Sequence, residues 1–125
     1  MLAALLILLG AIIAYSVFTF LYQRKILKTL TEEQFREGYR KAQLIDVRET
    51  KEFEGGHILG SRNIPLSQLR MRHKEIRPDK PVYLYCQNGI RSGRAAAVLR
   101  RKGVKDLYQL KGGYRLWGGK IKKGK

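Results

Sequence analysis

The chain opens on a long apolar run, Met1–Tyr22 (MLAALLILLGAIIAYSVFTFLY), and no charged residue occurs before Arg24. As a helix this stretch would measure roughly 33 Å at about 1.5 Å per residue, matching a hydrocarbon core about 30 Å thick. A cleaved secretion signal does not fit. No Lys or Arg precedes the run, and it is followed by Tyr22-Gln23-Arg24-Lys25 rather than a small-residue cleavage site. Nor is a buried core helix needed, because the residues after it supply a complete domain of their own. Residues 1–23 are therefore expected to form a single transmembrane helix, and 24–30 a basic juxtamembrane linker.

Beyond Gln23 the pattern shortens and alternates. Thr31-Glu32-Glu33-Gln34 has the form of a capping box, and a helix to about Arg40 should follow, with Phe35 and Tyr39 on one face. Gln43–Val47 (QLIDV) reads as a buried strand, and Glu49–Glu54 as a short helical turn stopped by Gly55-Gly56. A small strand is expected near Arg62–Ile64. A helix capped by Ser67 should then run through Leu69 and His73 to Ile76, before the turn Pro78-Asp79-Lys80-Pro81. Val82–Tyr85 (VYLY) carries the strongest strand signal. The segment SGRAAAVLRRKG should be helical, with Ala95, Val98 and Leu99 on its inner face and Gly103 as its stop. Leu107–Leu110 reads as another strand, and Gly112-Gly113 opens a final helical turn carrying Tyr114 and Trp117. The domain is expected to occupy 31–118, with 119–125 a basic, fraying tail.

Strands alternating with helices predict an α/β fold: one domain with a parallel central sheet flanked by helices on both faces, preceded by one transmembrane helix. In such sheets ligands bind beyond the carboxyl ends of the strands. Cys86 stands at one of those ends.

Charge adds a partner. The formal net charge is +16 and the isoelectric point is near 10.3. Such a surface suits nucleic acid or an anionic membrane. No RNA-binding motif or aromatic stacking platform accompanies it, so nucleic acid is set aside. The clusters at Arg24, Lys25 and Lys28, and at Lys120, Lys122, Lys123 and Lys125, favour lipid, or simply a solvated face. Positive residues directly after the span orient it, placing the domain on the cytoplasmic side of the cell membrane. A single cysteine, which cannot form an internal disulfide, agrees with a reducing compartment.

The candidate chemistry lies in Cys86-Gln87-Asn88-Gly89-Ile90-Arg91. A chain turning from strand to helix within six residues can aim its backbone amides at the Cys86 sulfur, with Gly89 permitting the turn. Amide donors and the positive end of the next helix favour an anion there, either a thiolate or a persulfide. Arg91 would add a fixed positive charge. A lone cysteine ending a buried strand is often mere packing; the glycine, the arginine and the helix directly after it argue for a site.

Two sets of motifs resemble the rhodanese family. The first is Leu44-Ile45-Asp46-Val47-Arg48, Glu52-Phe53, Gly56-His57-Ile58, Gly60 and Asn63-Ile64-Pro65. The second is Val82–Cys86 with Gly89-Ile90-Arg91-Ser92, then Leu110-Lys111-Gly112-Gly113 and Trp117. The resemblance covers roughly Thr31–Trp117. It implies a sulfurtransferase in which Cys86 takes sulfane sulfur from a donor (thiosulfate, a small persulfide or a protein persulfide) and passes it to a thiol acceptor. It also implies an active loop of Gln87, Asn88, Gly89, Ile90 and Arg91, with no metal or organic cofactor. Asp46 and Arg48 are expected to be a structural pair, His57 a turn residue, and His73 exposed. The loop differs from those suited to thiosulfate in having neutral Gln87, Asn88 and Ile90, which favours a persulfide or protein donor. Phosphatase or arsenate-reductase chemistry, found in relatives of this fold, needs five residues between Cys and Arg; here there are four. A non-catalytic interaction module would typically lack the cysteine.

Overall fold

A computed structural model describes residues 1–125. Helix α1 (Leu2–Ile26) runs without a loop into strand β1 (Leu27–Leu30). There follow α2 (Glu32–Gly38), β2 (Gln43–Asp46), α3 (Thr50–Glu54), β3 (His57–Ile58) and β4 (Arg62–Asn63). A broken helical segment comes next, a 3₁₀ turn at Leu66–Gln68, α4 (Leu69–Arg72) and a second 3₁₀ turn at His73–Glu75. The chain closes with β5 (Val82–Tyr85), α5 (Ile90–Arg101), β6 (Leu107–Leu110), a 3₁₀ turn at Tyr114–Leu116 and β7 (Ile121–Lys122).

The central sheet has five strands in the order β1-β6-β5-β2-β4, and every pairing in it is parallel. Side chains alternate across it as strand geometry requires. Val82, Leu84 and Cys86 join Ile45, Val47, Ala95, Ala96 and Leu99 in the cluster under α5. Leu44 and Tyr85 face the opposite side, with Phe35, Tyr39 and Ile58. The period of two thus delivers Cys86 to the α5 face. On the other face Phe35 and Tyr39 stack at 6.0 Å, and Trp117 meets both edge-on. Thr31 and Gln34 form the expected capping box.

Four local expectations are corrected. Residues 24–30 are not a linker: Arg24–Ile26 finish α1, and Leu27–Leu30 form an edge strand of the sheet. Leu27 and Leu30 supply the apolar contacts, while Lys28 and Thr29 remain in solvent. The tail does not fray throughout, because Ile121 and Lys122 pair antiparallel with Ile58 and His57. Ser67 caps no helix; its hydroxyl donates to Glu49 at 3.2 Å, and the segment after it alternates 3₁₀ and α turns. Finally, α5 begins at Ile90 and buries Ser92, Gly93, Ala95, Ala96 and Leu99, leaving Val98 half-buried.

Helix α1 is long and apolar enough to cross a membrane. Residues 1–18 are exposed throughout, whereas Thr19, Tyr22 and Gln23 are half-buried and Ile26 is buried. Their spacing of i, i+3, i+4 and i+7 is one helical face. The last two turns of α1 therefore belong to the domain, where they lie on α5.

Candidate active site

Cys86 follows the last residue of β5, and the next three residues, Gln87–Gly89, turn the chain into α5. Gly89 makes the turn at φ +100°, a left-handed conformation that costs glycine little and other residues considerably more. The turn aims amides at the sulfur: the Gly89 N–H donates to Cys86 Sγ at 3.0 Å and the Ser92 N–H at 3.4 Å. Both donors stand at the amino end of α5, whose twelve residues direct the positive end of their dipole toward the same atom. Two amides thus face Cys86 Sγ, one from the loop and one from the first turn of α5, and the cysteine beneath them is fully buried.

Ser92 was not among the expected site residues. Its hydroxyl lies 3.5 Å from Cys86 Sγ, 3.1 Å from the Gly89 carbonyl and 2.6 Å from Gln109 Oε1. The Gln109 amide in turn donates to Thr29 Oγ1 at 2.9 Å. Sulfur, α5, β6 and β1 are thus joined by one polar chain. Only the serine directly after the loop arginine hinted at this, since Gln109 and Thr29 enter through strand register.

Arg91 does not meet the sulfur as an isolated cation. Its two terminal nitrogens donate to the two oxygens of Glu52, at 2.6 and 2.9 Å. Glu52 is placed by α3, where it also caps the amide of Glu49. The hydrogen bond from Arg91 holds the Glu52 carboxyl far below the ordinary range, at about 2, against the opposing effect of partial burial. The same bond raises the Arg91 guanidinium. The fixed charge assigned to Arg91 is therefore half of an ion pair.

The remaining loop residues divide by partner. Gln87 Oε1 accepts from Arg48 Nη1 at 3.2 Å. Arg48 is itself buried against Asp46, at 2.8 Å, donates to the Gly56 carbonyl at 2.7 Å and lies 4.2 Å from the centroid of Tyr114. Asp46 and Arg48 are thus a buried ion pair, and Arg48 ties it to the loop through Gln87. Asn88 closes the turn by accepting from the Ile90 N–H, and the Ile90 side chain is exposed. Behind the loop, Tyr114 and Arg115 donate their amides to the carbonyls of Cys86 and Gln87, at 2.8 and 3.2 Å. A Cβ on Gly113 would stand 2.5 Å from the Cys86 oxygen, so the Gly112-Gly113 turn is what lets this segment seat against the loop.

His57 stacks on Phe53 at 3.6 Å and bonds its Nδ1 to the Phe53 carbonyl. It is buried in β3 rather than free in a turn, and none of its hydrogen bonds reaches the loop. His73 is half-buried rather than exposed. Beside the loop a cavity of about 520 Å³ opens between it and the end of α1, with Thr19, Gln23, Arg24, Asn88, Gly89 and Ile90 among its walls.

A parallel sheet carrying a sulfur in an amide cradle at a strand's carboxyl end defines the class, and comparison gives the family. The family model of the rhodanese-like domain matches residues 29–120: the chain belongs to the rhodanese-like family. It is 68% identical over 117 residues to the uncharacterized protein YqhL of Bacillus subtilis, covering 94% of this chain and 93% of that one. It is 33% identical over 78 residues to the thiosulfate sulfurtransferase GlpE of Shewanella oneidensis, covering 62% of this chain and 77% of that protein. Among solved structures, a rhodanese-related protein from Thermoplasma volcanium superposes with a TM-score of 0.70 at 30% identity, over 76% of this chain and 97% of that one.

Proposed function

We propose that this protein is a membrane-held sulfurtransferase that carries sulfane sulfur on Cys86. The observation that supports it most directly is the pair of amide donors from Gly89 and Ser92 on Sγ, which suits an anionic sulfur and serves no packing purpose. In the first step the Cys86 thiolate attacks the outer sulfur of a donor such as thiosulfate or a persulfide. The donor's S–S bond breaks, its electron pair leaves on sulfite or on a thiolate, and Cys86 becomes a persulfide anion. In the second step an acceptor thiolate attacks that outer sulfur and the Cys86 thiolate departs. No net oxidant or reductant is consumed, and each step transfers one sulfur atom. Because Cys86 is fully buried, the donor reaches it only when the loop opens.

The donor is a persulfide, small or protein-bound, in preference to thiosulfate. Gln87, Asn88 and Ile90 are neutral, and Arg91 is neutralised by Glu52, so little unpaired positive charge is available in the loop for a dianion. Helix α1 spans the cell membrane, and Arg24, Lys25 and Lys28 after the span hold the domain on the cytoplasmic side. The test is steady-state sulfur transfer from thiosulfate and from a small persulfide to a thiol, with Cys86→Ser as control. Turnover that favours the persulfide and vanishes in the variant is expected. Turnover that survives in Cys86→Ser would remove the assignment.

A further inference from the structure

Beside α1 the domain presents a second cleft, which shares Thr19, Gln23 and Arg94 with the cavity beside the loop but is lined by no loop residue, and this inference rests on α1 being a membrane span. The cleft lies between α1 and α5 and encloses about 750 Å³. Tyr15, Phe18, Tyr22 and Val98 give it apolar walls, and Arg70, Arg94 and Arg101 bring three guanidinium groups to it. All three arginines are exposed, and no carboxylate lines the cleft. Six other arginines (Arg36, Arg48, Arg62, Arg72, Arg77 and Arg91) have an acidic partner within ion-pair distance. These three have none. Lys102 extends the positive surface, sharing an adjoining recess with Arg70 and Arg101.

Three like charges gathered on an apolar cleft without a counter-charge call for an occupant that is anionic at one end and apolar at the other. The geometry of α1 says where that occupant comes from. Residues 1–18 are exposed all round and would span about 27 Å at about 1.5 Å per residue, close to a hydrocarbon core about 30 Å thick. Docking on the domain begins at Thr19, so the cleft falls at the level where the helix would leave the hydrocarbon and enter the headgroups. Guanidinium groups pair with phosphate oxygens two at a time.

We infer that this cleft seats the headgroup of an anionic phospholipid, with its phosphate among Arg70, Arg94 and Arg101 and its apolar part along Tyr15 and Phe18. The seat lays α5 against the membrane surface and so fixes how the Cys86 loop is presented to it. The site is specified by the three arginines of the cleft; the lysines of the tail are no part of it.

The experiment uses the full chain in vesicles of phosphatidylcholine alone and of phosphatidylcholine with phosphatidylglycerol. Amide hydrogen exchange along α5 and α4 is the readout. Phosphatidylglycerol should slow exchange several-fold in the parent protein, and this difference should vanish in Arg70→Gln/Arg94→Gln/Arg101→Gln. The difference should persist when Lys120, Lys122, Lys123 and Lys125 are all changed to Gln. Arg94→Gln alone, a single exposed change, should lose part of the effect and covers the case in which the triple variant does not fold. Equal exchange in the two lipids, an effect that survives the triple variant, or one abolished by the tail variant would each overturn the inference. An alkaline carbonate wash separates the two ideas. Protein retained in the vesicles but indifferent to lipid charge contradicts the seat alone, and protein washed off contradicts the span beneath it.

Discussion

Glu52 holds the guanidinium of Arg91 through two hydrogen bonds of 2.6 and 2.9 Å, so the only cationic side chain of the Cys86 loop is shared with a carboxylate from α3. The sulfur is left with backbone amides as its principal electrostatic support. Glu52→Gln would keep a hydrogen-bond acceptor and remove the countercharge. The expected result is a several-fold lower KM for thiosulfate, a dianion, with a smaller change for a singly charged persulfide donor. An unchanged preference would show that the pair does not govern donor choice.

The same pair carries a pH dependence. The folded-state value of Glu52 lies at about 2, below the ordinary carboxylate value of 4.5. Its contribution to stability is therefore complete above about pH 4.5 and is lost as pH falls toward 2. Partial exposure of both side chains keeps that contribution small. Urea midpoints measured between pH 5.5 and 3, on the order of the window set by the two values, should fall less steeply in Glu52→Gln than in the parent. Parallel curves would contradict the assignment.

Ser92 donates its amide to the sulfur, while its hydroxyl, 3.5 Å from Sγ, gives its one proton to Gln109 Oε1 at 2.6 Å. Ser92→Ala retains the first and removes the second, and it also takes the partner from Gln109. The hydroxyl can support the anion only by turning from Gln109 to the sulfur, an exchange worth about 0.5–1.5 kcal/mol net, so sulfur transfer should slow a few-fold. Single-turnover rates with saturating donor check this. The expected pattern is a fall in the rate of transfer with the donor KM nearly unchanged, and a rate equal to that of the parent would leave the hydroxyl a structural role only.

Where α1 is cut decides how stable the remaining domain is. Tyr22 and Gln23 are half-buried and Ile26 is buried, and Gln23 occupies the space a side chain on Gly93 would need, its Oε1 lying 2.5 Å from where that Cβ would be. Removing residues 1–18 should release a folded domain with a melting temperature close to that of the parent in detergent. Removing 1–26 takes Ile26 out of the core under α5, and the melting temperature should drop by several degrees. Equal stability of the two truncations would show that the last turns of α1 are not part of the domain.

What the sequence made legible follows from how local each signal is. The path from Val82–Tyr85 through Cys86 to a helix is contiguous, so the strand, the loop and the position of the sulfur could all be read along the chain. Glu52 and Arg91 are separated by 39 positions, and Thr29 and Gln109 by 80; only the folded sheet brings them together. Leu27–Leu30 escaped notice because four residues with a polar middle (LKTL) carry neither a two-residue nor a helical period, and the edge strand they form owes its existence to β6. Ile121–Lys122 is likewise too short to signal a strand and depends on pairing with His57–Ile58. The apolar opening was legible as a helix long enough to cross a membrane, but where it meets the domain was not, since Thr19, Tyr22, Gln23 and Ile26 form a mixed polar and apolar face whose meaning comes from α5.

Whether Cys86 carries sulfur can be read by intact-protein mass spectrometry. The protein is incubated with thiosulfate or a small persulfide, freed of excess donor and weighed. A gain of one sulfur atom is expected, in a larger fraction of the protein with the persulfide, removed by cyanide or thiol and absent from Cys86→Ser. No gain with any donor, or the same gain in Cys86→Ser, would contradict the carrier role of Cys86.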